Sequence, residues 1–479
     1  MAGSVENLIR STVSKGVMKI AAFNRQHMSA LEEPHAFLNG IHAPMERECT
    51  LTDLQVRGTI PLALDGCYMR IGPNPVKPPN AAAYHWFTGD GMVHGVRLQH
   101  GRALWYRNRW IRSYAVSAAL GEAPAPGPRN GVSDSVNTNV LGHAGKTWAL
   151  VEAGAYPVEL DAALGTLAHN PFEGTLRGSF SAHPHLDRDS GELHAICYEG
   201  SDQNVVRHVV VGKDGRVRRE EPIAVRHGPS IHDCMLTKRY VLVFDLPVTF
   251  SMKLLLAGHN FPYAWNPKHL ARVGLLEREG RGSDIVWCEV DPCYVFHACN
   301  AFELADGRVI VDVAAHESMF AHSTQGPDSQ RLAFERWTID PSARRVAREV
   351  VDDHPQEFPR ANERLLGKPY RYAYAVPISF AGERFVSEPH LIKHDLQSRT
   401  RAIHAFAAHS YPGEFVFVPC AADCAEDEGW LMGLVINTDS QTTDLVILDA
   451  HDFSGDPIAV VTMPHRIPPG FHGNWVPTV

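Results

Sequence analysis

Four histidines lie far apart along the chain, in segments that could bring them together: His183 in SAHPHLD, His232 in SIHDCML, His297 in YVFHACNAFE and His472 in GFHGNW. Each falls at a strand end or turn beside Pro, Asp, Asn or Gly, where a side chain can face a rim. No local loop or helix face can gather them, so only a closed, roughly radial fold would place all four on one axis. An all-imidazole set suits Fe, Zn, Cu or Ni and disfavours Mg and Ca, which take oxygen ligands. A lone histidine is more often structural than ligating, and 27 histidines leave room for coincidence. Three glutamates in strand-like stretches could support such a site: Glu152 in LVEAG, Glu357 in QEFPR and Glu414 in PGEFVFV. A ligating imidazole usually donates its other N–H to a carboxylate or carbonyl, which fixes the ring. The competing reading of these glutamates is solvent-facing alternation within strands.

Other constellations carry less. His185-Leu-Asp187 supplies the H-x-D of a two-histidine, one-carboxylate iron site, but it needs a third histidine and His183 competes for the same strand face. His316-Glu317 lacks H-E-x-x-H spacing, since the next histidine is His322. No G-x-S-x-G elbow is present. Gly89-Asp-Gly91 lacks the Lys-Ser/Thr that would follow in a phosphate loop.

The elements that must position these residues are short strands. Candidates are 193–198, 205–211, 240–245, 308–313, 414–418, 431–436 and 444–449, separated by turns such as Asp189-Ser-Gly191, Lys213-Asp-Gly215 and Ala305-Asp-Gly307. Helical periodicity is confined to the N-terminus and the region 112–121. Even spacing without βαβ alternation predicts an all-β sandwich, barrel or propeller. A propeller is favoured because its blades converge on a channel; without a strict repeat, the blade count does not follow. No linker divides the chain, so 1–479 reads as one domain.

Composition narrows the classes. With 44% hydrophobic and 21% charged residues the chain reads as soluble and globular, and a net charge of −9 argues against nucleic acid as partner. The nine cysteines show no disulfide framework; Cys288, Cys293, Cys420 and Cys424 read as buried free thiols, which fits a reducing cytoplasm. No apolar run is long enough to span a bilayer. Residues 5–25 repeat Val5, Leu8, Ile9, Val13, Val17, Ile20 and Ala21 at helical spacing, interrupted by Arg10, Lys15, Lys19 and Arg25. This amphipathic helix has three readings: lying on a membrane surface, docked on the domain, or a transit peptide. The apolar stretch 246–265 is either covered core or an exposed membrane or interaction patch.

Taken in order, HWFTGDGMVHG (85–95), YRNRWIRS (106–113), VNTNVL (136–141), SAHPHLD, IHDCMLTKRYVLVFD, VFHACNAFE, EFPRANERLLGKPYRYAYA and GFHGNW make the chain resemble the carotenoid cleavage oxygenases. These are non-haem iron enzymes that split alkenes. The resemblance implies a seven-bladed β-propeller with the iron on its axis under a helical and loop cap. It implies that His183, His232, His297 and His472 bind Fe(II), with His185 outside the ligand set. It matches Glu152, Glu357 and Glu414 to supporting glutamates, and chain order assigns them to His232, His297 and His472, leaving His183 without a carboxylate. Thr138 matches a residue that crowds one open coordination position.

Four neutral imidazoles would leave iron its full charge and two adjacent open positions, one for O2. The substrate supplies an electron-rich double bond, which the protein mainly positions. Scission gives two carbonyl products without external reductant if both oxygen atoms enter products, so no acid–base pair is needed. Stilbene cleavers resemble one another in a phenol-binding lysine directly before the first supporting glutamate; here that position is Val151. Phe87 and Phe296 read either as tunnel walls or as plain core. A hydrophobic polyene, carotenoid or apocarotenoid, is the favoured substrate, taken from a membrane touched through 5–25 and 246–265. The alternatives are a stilbenoid or phenylpropanoid alkene, and a non-catalytic propeller binding protein.

Overall fold

Runs of β-branched and aromatic residues between Asp-Gly and Asp-Ser-Gly turns build strands along nearly the whole chain. The structure, a computed structural model, describes residues 16–380 and 385–478. The strand candidates become Glu192–Glu199, Asp202–Val211, Tyr240–Asp245, Val309–His316, Ser410–Pro419, Gly429–Asn437 and Thr442–Asp449. Nearly all are antiparallel meanders, in which consecutive strands pair. The result is all-β and propeller-like.

Six sheets of four or more strands follow one another along the described chain, beside a two-stranded ribbon of Val248–Phe250 and Tyr263–Trp265. Burial falls off outward across the largest sheet. Val309–His316 is buried at every position, whereas Arg345–Asp352, two strands further out, has none buried. Covered on both faces, Val309–His316 is apolar at both alternations except at Asp312 and His316. Trp148 and Trp337 fill the gaps between sheets, with indole N–H groups donating to the His143 carbonyl at 3.2 Å and to Glu335 at 2.7 Å. Truncating either to alanine costs about 3–5 kcal/mol in cavity and lost burial.

The ring is closed twice. The C-terminal strand Gly473–Pro477 pairs with Gly66–Pro73 in the first sheet, and the N-terminal strand Gln55–Gly58 pairs with Ala459–Met463 in the last. Segments near both chain ends thereby pair into sheets otherwise built from the opposite part of the chain. Gly58 ends its strand at φ +79°, where a Cβ would lie 2.1 Å from the Ile458 carbonyl oxygen, so no larger residue fits this closure.

The expectation of seven separate blades meets one difference. Cys234–Leu236 through Arg345–Asp352 form a single eight-stranded sheet, in which Val286–Glu289 joins Arg345–Asp352 by a lone parallel pair, Glu289 with Arg345. The thiol expectation also needs correction. Cys288 and Cys293 are buried, but Cys420 is exposed and Cys424 half-buried, because they sit in a loop beyond the strand Ser410–Pro419.

Helices are few: α1 (residues 16–26), α2 (Tyr114–Leu120) and α3 (Met252–Ala257). Residues 5–15 of the amphipathic stripe lie outside the described residues. The remainder forms α1, docked on α3 by Asn24 Nδ2 donating to the Leu256 carbonyl (2.7 Å) and Arg25 Nε to that of Gly258 (2.9 Å). Ala21 is buried there, while Ile20 and Phe23 are exposed. The 246–265 stretch divides: Leu246, Val248 and Tyr263 are core, but no residue of α3 is buried. No helix among the described residues is long and apolar enough to cross a membrane.

Several histidines are structural and uncharged. His194 Nδ1 lies 3.1 Å from His208 Nε2; burial pushes His194 down to about 3 and His208 well below its usual value. Burial also pushes His394 down to about 4 and His94 well below normal. In the unfolded chain each titrates near 6.5, so between about pH 6.5 and 4 the unfolded state binds more protons and stability is lost as the pH is lowered. Thermal melts at constant ionic strength should therefore show a midpoint at least about 5 °C lower at pH 5.0 than at pH 7.5. A flat profile would mean that these rings are not buried neutral.

Candidate metal centre

Each of the four histidines sits at or beside the start of an innermost strand. His183 and His232 lie two residues before His185–Asp187 and Cys234–Leu236, and His472 directly precedes Gly473–Pro477. His297 is inside Tyr294–Glu303, where the ladder slips between Val295 and Ala298. Such bulges re-aim a side chain without ending a strand. All four are buried, and one ring nitrogen from each falls within 4.8 Å of the others. Ring centroids are 4.4 Å apart for His183 and His232, 4.4 Å for His183 and His472, and 4.8 Å for His297 and His472.

The glutamates are brought in by irregular backbone. Glu357 precedes Phe358, whose φ is +53°, at a slip in the pairing of Gln356–Ala361. Glu414 lies at the slip between Pro412 and Phe415, and Glu152 precedes Ala153, at φ +55°. Residues held in the left-handed region cost of order 1–3 kcal/mol and cluster at functional sites. His297 Nδ1 donates to Glu357 Oε2 at 2.5 Å, and His316 Nε2 donates to Glu357 Oε1 at 2.8 Å. His472 Nδ1 donates to Glu414 Oε1 at 3.1 Å, and the Gly473 N–H to Oε2 at 3.0 Å. Glu152 Oε2 lies 2.7 Å from His232 Nδ1, but not aligned as a hydrogen bond; its Oε1 accepts the Tyr198 hydroxyl at 3.0 Å. Each contact pairs the residues that chain order assigned. Among the described residues no carboxylate lies against His183, and its Nε2 is buried without a hydrogen-bond partner.

The charges are unbalanced. Burial would raise Glu357 and Glu414, yet His297 and His316 pull the first well below the usual carboxylate range, while Arg360 and His472 hold the second at about 2. Both are therefore carboxylates. Among the described residues their one guanidinium or ammonium partner is Arg360, 3.6 Å from Glu414. Burial and the neighbouring imidazoles push His183 well below its usual value, and burial lowers His472. Burial resists charging of His297 too, but Glu357 outweighs it and raises the group. The Nε2 atoms of His297 and His472 are 3.1 Å apart, a spacing that needs a proton between them or a cation facing both. Four imidazole nitrogens, one of them an orphan, beside uncompensated carboxylates fit a divalent transition metal.

The other expected residues fall nearby with different roles. Thr138 is buried and its carbonyl accepts the His472 N–H at 3.1 Å; its hydroxyl donates to Asn137 Oδ1. Phe87 and Phe296 stand against His232, with centroids 6.5 and 5.0 Å away. Val151, half-buried, packs on the cluster around Met69, Val93 and Val140. His185, of the rival H-x-D, bonds Asp233 instead. Sequence reasoning missed Phe358, which stacks on His297 at 5.0 Å, and the cavity beside it. That cavity, of about 40 Å³, is walled by Ile41, Trp86, Phe358, Val376, Ile378, Phe385 and Glu414 among others. The Phe-Pro after Glu357 was its only trace in the sequence.

Fold and site define a propeller-like protein with a metal-ready axis. Comparison with known proteins carries this further. The family described as "Retinal pigment epithelial membrane protein" matches residues 42–477. The carotenoid cleavage oxygenase of Mycobacterium tuberculosis is 42% identical over 94% of this chain and 99% of its own. The solved structure of cobalt-substituted Synechocystis ACO is 26% identical, covers 91% of this chain and 97% of its own, and superposes with a TM-score of 0.79. A lignostilbene dioxygenase from Pseudomonas brassicacearum, 24% identical with a TM-score of 0.83 over 94% and 100% of the two chains, shares the fold. The chain belongs to the carotenoid cleavage oxygenase family, and is an alkene-cleaving dioxygenase.

Titration of metal-free protein with Co(II) should give about one tight equivalent per chain. Glu414→Gln should weaken that binding roughly 10- to 100-fold by loosening His472. Undiminished affinity in the variant would remove Glu414 from the support of the site.

Proposed function

We propose that His183, His232, His297 and His472 hold one Fe(II), and that the chain uses O2 to split a C=C bond of a carotenoid or apocarotenoid into two carbonyl products. The observation that carries this reading is the convergence of four buried imidazoles on one point, with carboxylates against three of them. When bound, the iron supplies the redox chemistry with O2. The protein's own part is positional. Glu152, Glu357 and Glu414 orient the rings and offset charge; Thr138, fixed through its carbonyl to His472, narrows the space beside that ligand. Phe87 and Phe296 wall the site and keep water from it, and no side chain is needed as a general base.

Substrate class follows from the lining. The cavity beside Phe358 and Glu414 is lined mostly by apolar side chains, with Arg70, Ser387, Tyr411 and Glu414 as the polar exceptions, which suits a polyene. Its volume is far below the roughly 300 Å³ of a formed ligand pocket, so a long chain would enter only if wall side chains moved aside. Val151, directly before Glu152, offers no charge for a phenolate, and the 42% identical relative carries a carotenoid name. The second reading is a stilbenoid or phenylpropanoid alkene; the likeness to the lignostilbene enzyme supports the fold and not this substrate.

We also read the fold as a seven-bladed propeller forming a single domain over 1–479. The lone residue pair joining the halves of the eight-stranded sheet supports counting it as two blades, and both closure strands support one unit. We place the protein in the cytoplasm, peripheral on a membrane. Ile20 and Phe23 of α1 and Met252 of α3, all exposed on two helices that touch, support that contact.

Product mass spectrometry with a long apocarotenal and with a hydroxystilbene tests the substrate: aldehydes are expected from the first, and rapid cleavage of only the stilbene would overturn the preference. His232→Ala should abolish iron binding, and Glu357→Gln should lower kcat by roughly 10- to 100-fold. Wild-type protein holding less than about 0.2 iron per chain after reconstitution would sink the enzyme reading.

A further inference from the structure

One buried carboxylate at the centre takes no part in the imidazole pairings. Asp233 is 4% exposed, and both its oxygens are engaged. Oδ1 accepts the His185 Nε2–H at 2.8 Å and the Cys234 backbone N–H at 2.7 Å; Oδ2 accepts the Ala298 backbone N–H at 2.9 Å. Asp233 directly follows His232. His185 is two residues after His183, across Pro184, and Ala298 directly follows His297 at the slip in its strand. A single side chain thus touches the segments bearing three of the four imidazoles.

We infer that Asp233 is a positioning residue that sets the spacing of His183, His232 and His297. The inference rests on the metal reading above. Its weight falls on His183, the one imidazole without a carboxylate of its own. That ring is located by its backbone: its N–H donates to Ser181 Oγ at 3.0 Å on one side, and on the other Pro184, with fixed φ, couples it to His185. Holding His185 therefore holds His183. A carboxylate is needed because all three partners are donors. An amide in its place presents one acceptor oxygen and one NH2, so one arm would face donor against donor in a buried place.

The test uses full-length protein loaded with Co(II) or Fe(II). Asp233→Asn should keep its melting temperature within a few degrees. It should release metal to a chelator roughly 10- to 100-fold faster, broaden or shift the Co(II) ligand-field bands, and lower kcat more than it changes KM. His185→Gln, which retains an N–H donor, should resemble wild type, whereas His185→Leu should reproduce the spectral shift in part. Unaltered bands and release rate in both Asp233→Asn and His185→Leu would overturn the inference. If Asp233→Asn does not fold, the contrast between the two His185 variants decides: identical spectra refute the clasp. Wild-type protein that takes up no metal would instead defeat the metal reading, and this inference with it.

Discussion

Two buried carboxylates with a single guanidinium between them set the conditions for the rest of the structure. Glu357 and Glu414 are 1% and 3% exposed; His297 and His316 hold the first ionised, and Arg360 and His472 the second. Taking a charge out of water costs several kcal/mol unless something pays it back. One guanidinium 3.6 Å from Glu414 is not enough. The four imidazoles face one point, and a divalent cation bound there would supply positive charge to both carboxylates at once. The same carboxylates fix ring orientation, so charge balance and geometry are met by the same bonds.

The fold meets this requirement with irregular backbone. A regular strand offers alternate side chains to two faces and none along the axis. His297, Glu357 and Glu414 each lie at a break in register, and Phe358 and Ala153 adopt left-handed backbone beside the glutamates. These local costs are borne by the sheets around them, whose inner strands are buried on both faces. The double closure by Gln55–Gly58 and Gly473–Pro477 matters for the same reason: His472 is carried by the closing strand itself, so completing the ring and completing the site are one event.

The four histidines and three glutamates were legible because ligand chemistry restricts residue type, and because long motifs in order leave little room for chance. Strand positions were legible from apolar runs between turn residues. What stayed hidden depends on shape. The bulges that re-aim His297 and Glu414 leave no pattern in residue type. The fate of Cys420 turned on which side of a strand end a loop falls. The joining of eight strands into one sheet rests on a single pair, Glu289 with Arg345, which no periodicity encodes. Phe358 shows the limit well: its stacking on His297 needs a positive φ that sequence does not predict for phenylalanine.

Placing the carboxylates behind the imidazoles, rather than at the centre, has a consequence for the choice of reactant. Each negative charge stands one ring away from the point the nitrogens face, so it steadies the ligands without filling a position there. Phe87 and Phe296 pack against His232 and Phe358 against His297, so the surroundings of the imidazoles are largely aromatic. A charged or strongly hydrated reactant would lose its water on entry, and two of the three nearby carboxylates, Glu357 and Glu414, are already engaged by N–H donors. An uncharged, electron-rich double bond loses little and gains contact with the rings. The aromatic surroundings disfavour strongly hydrated molecules and suit an uncharged alkene.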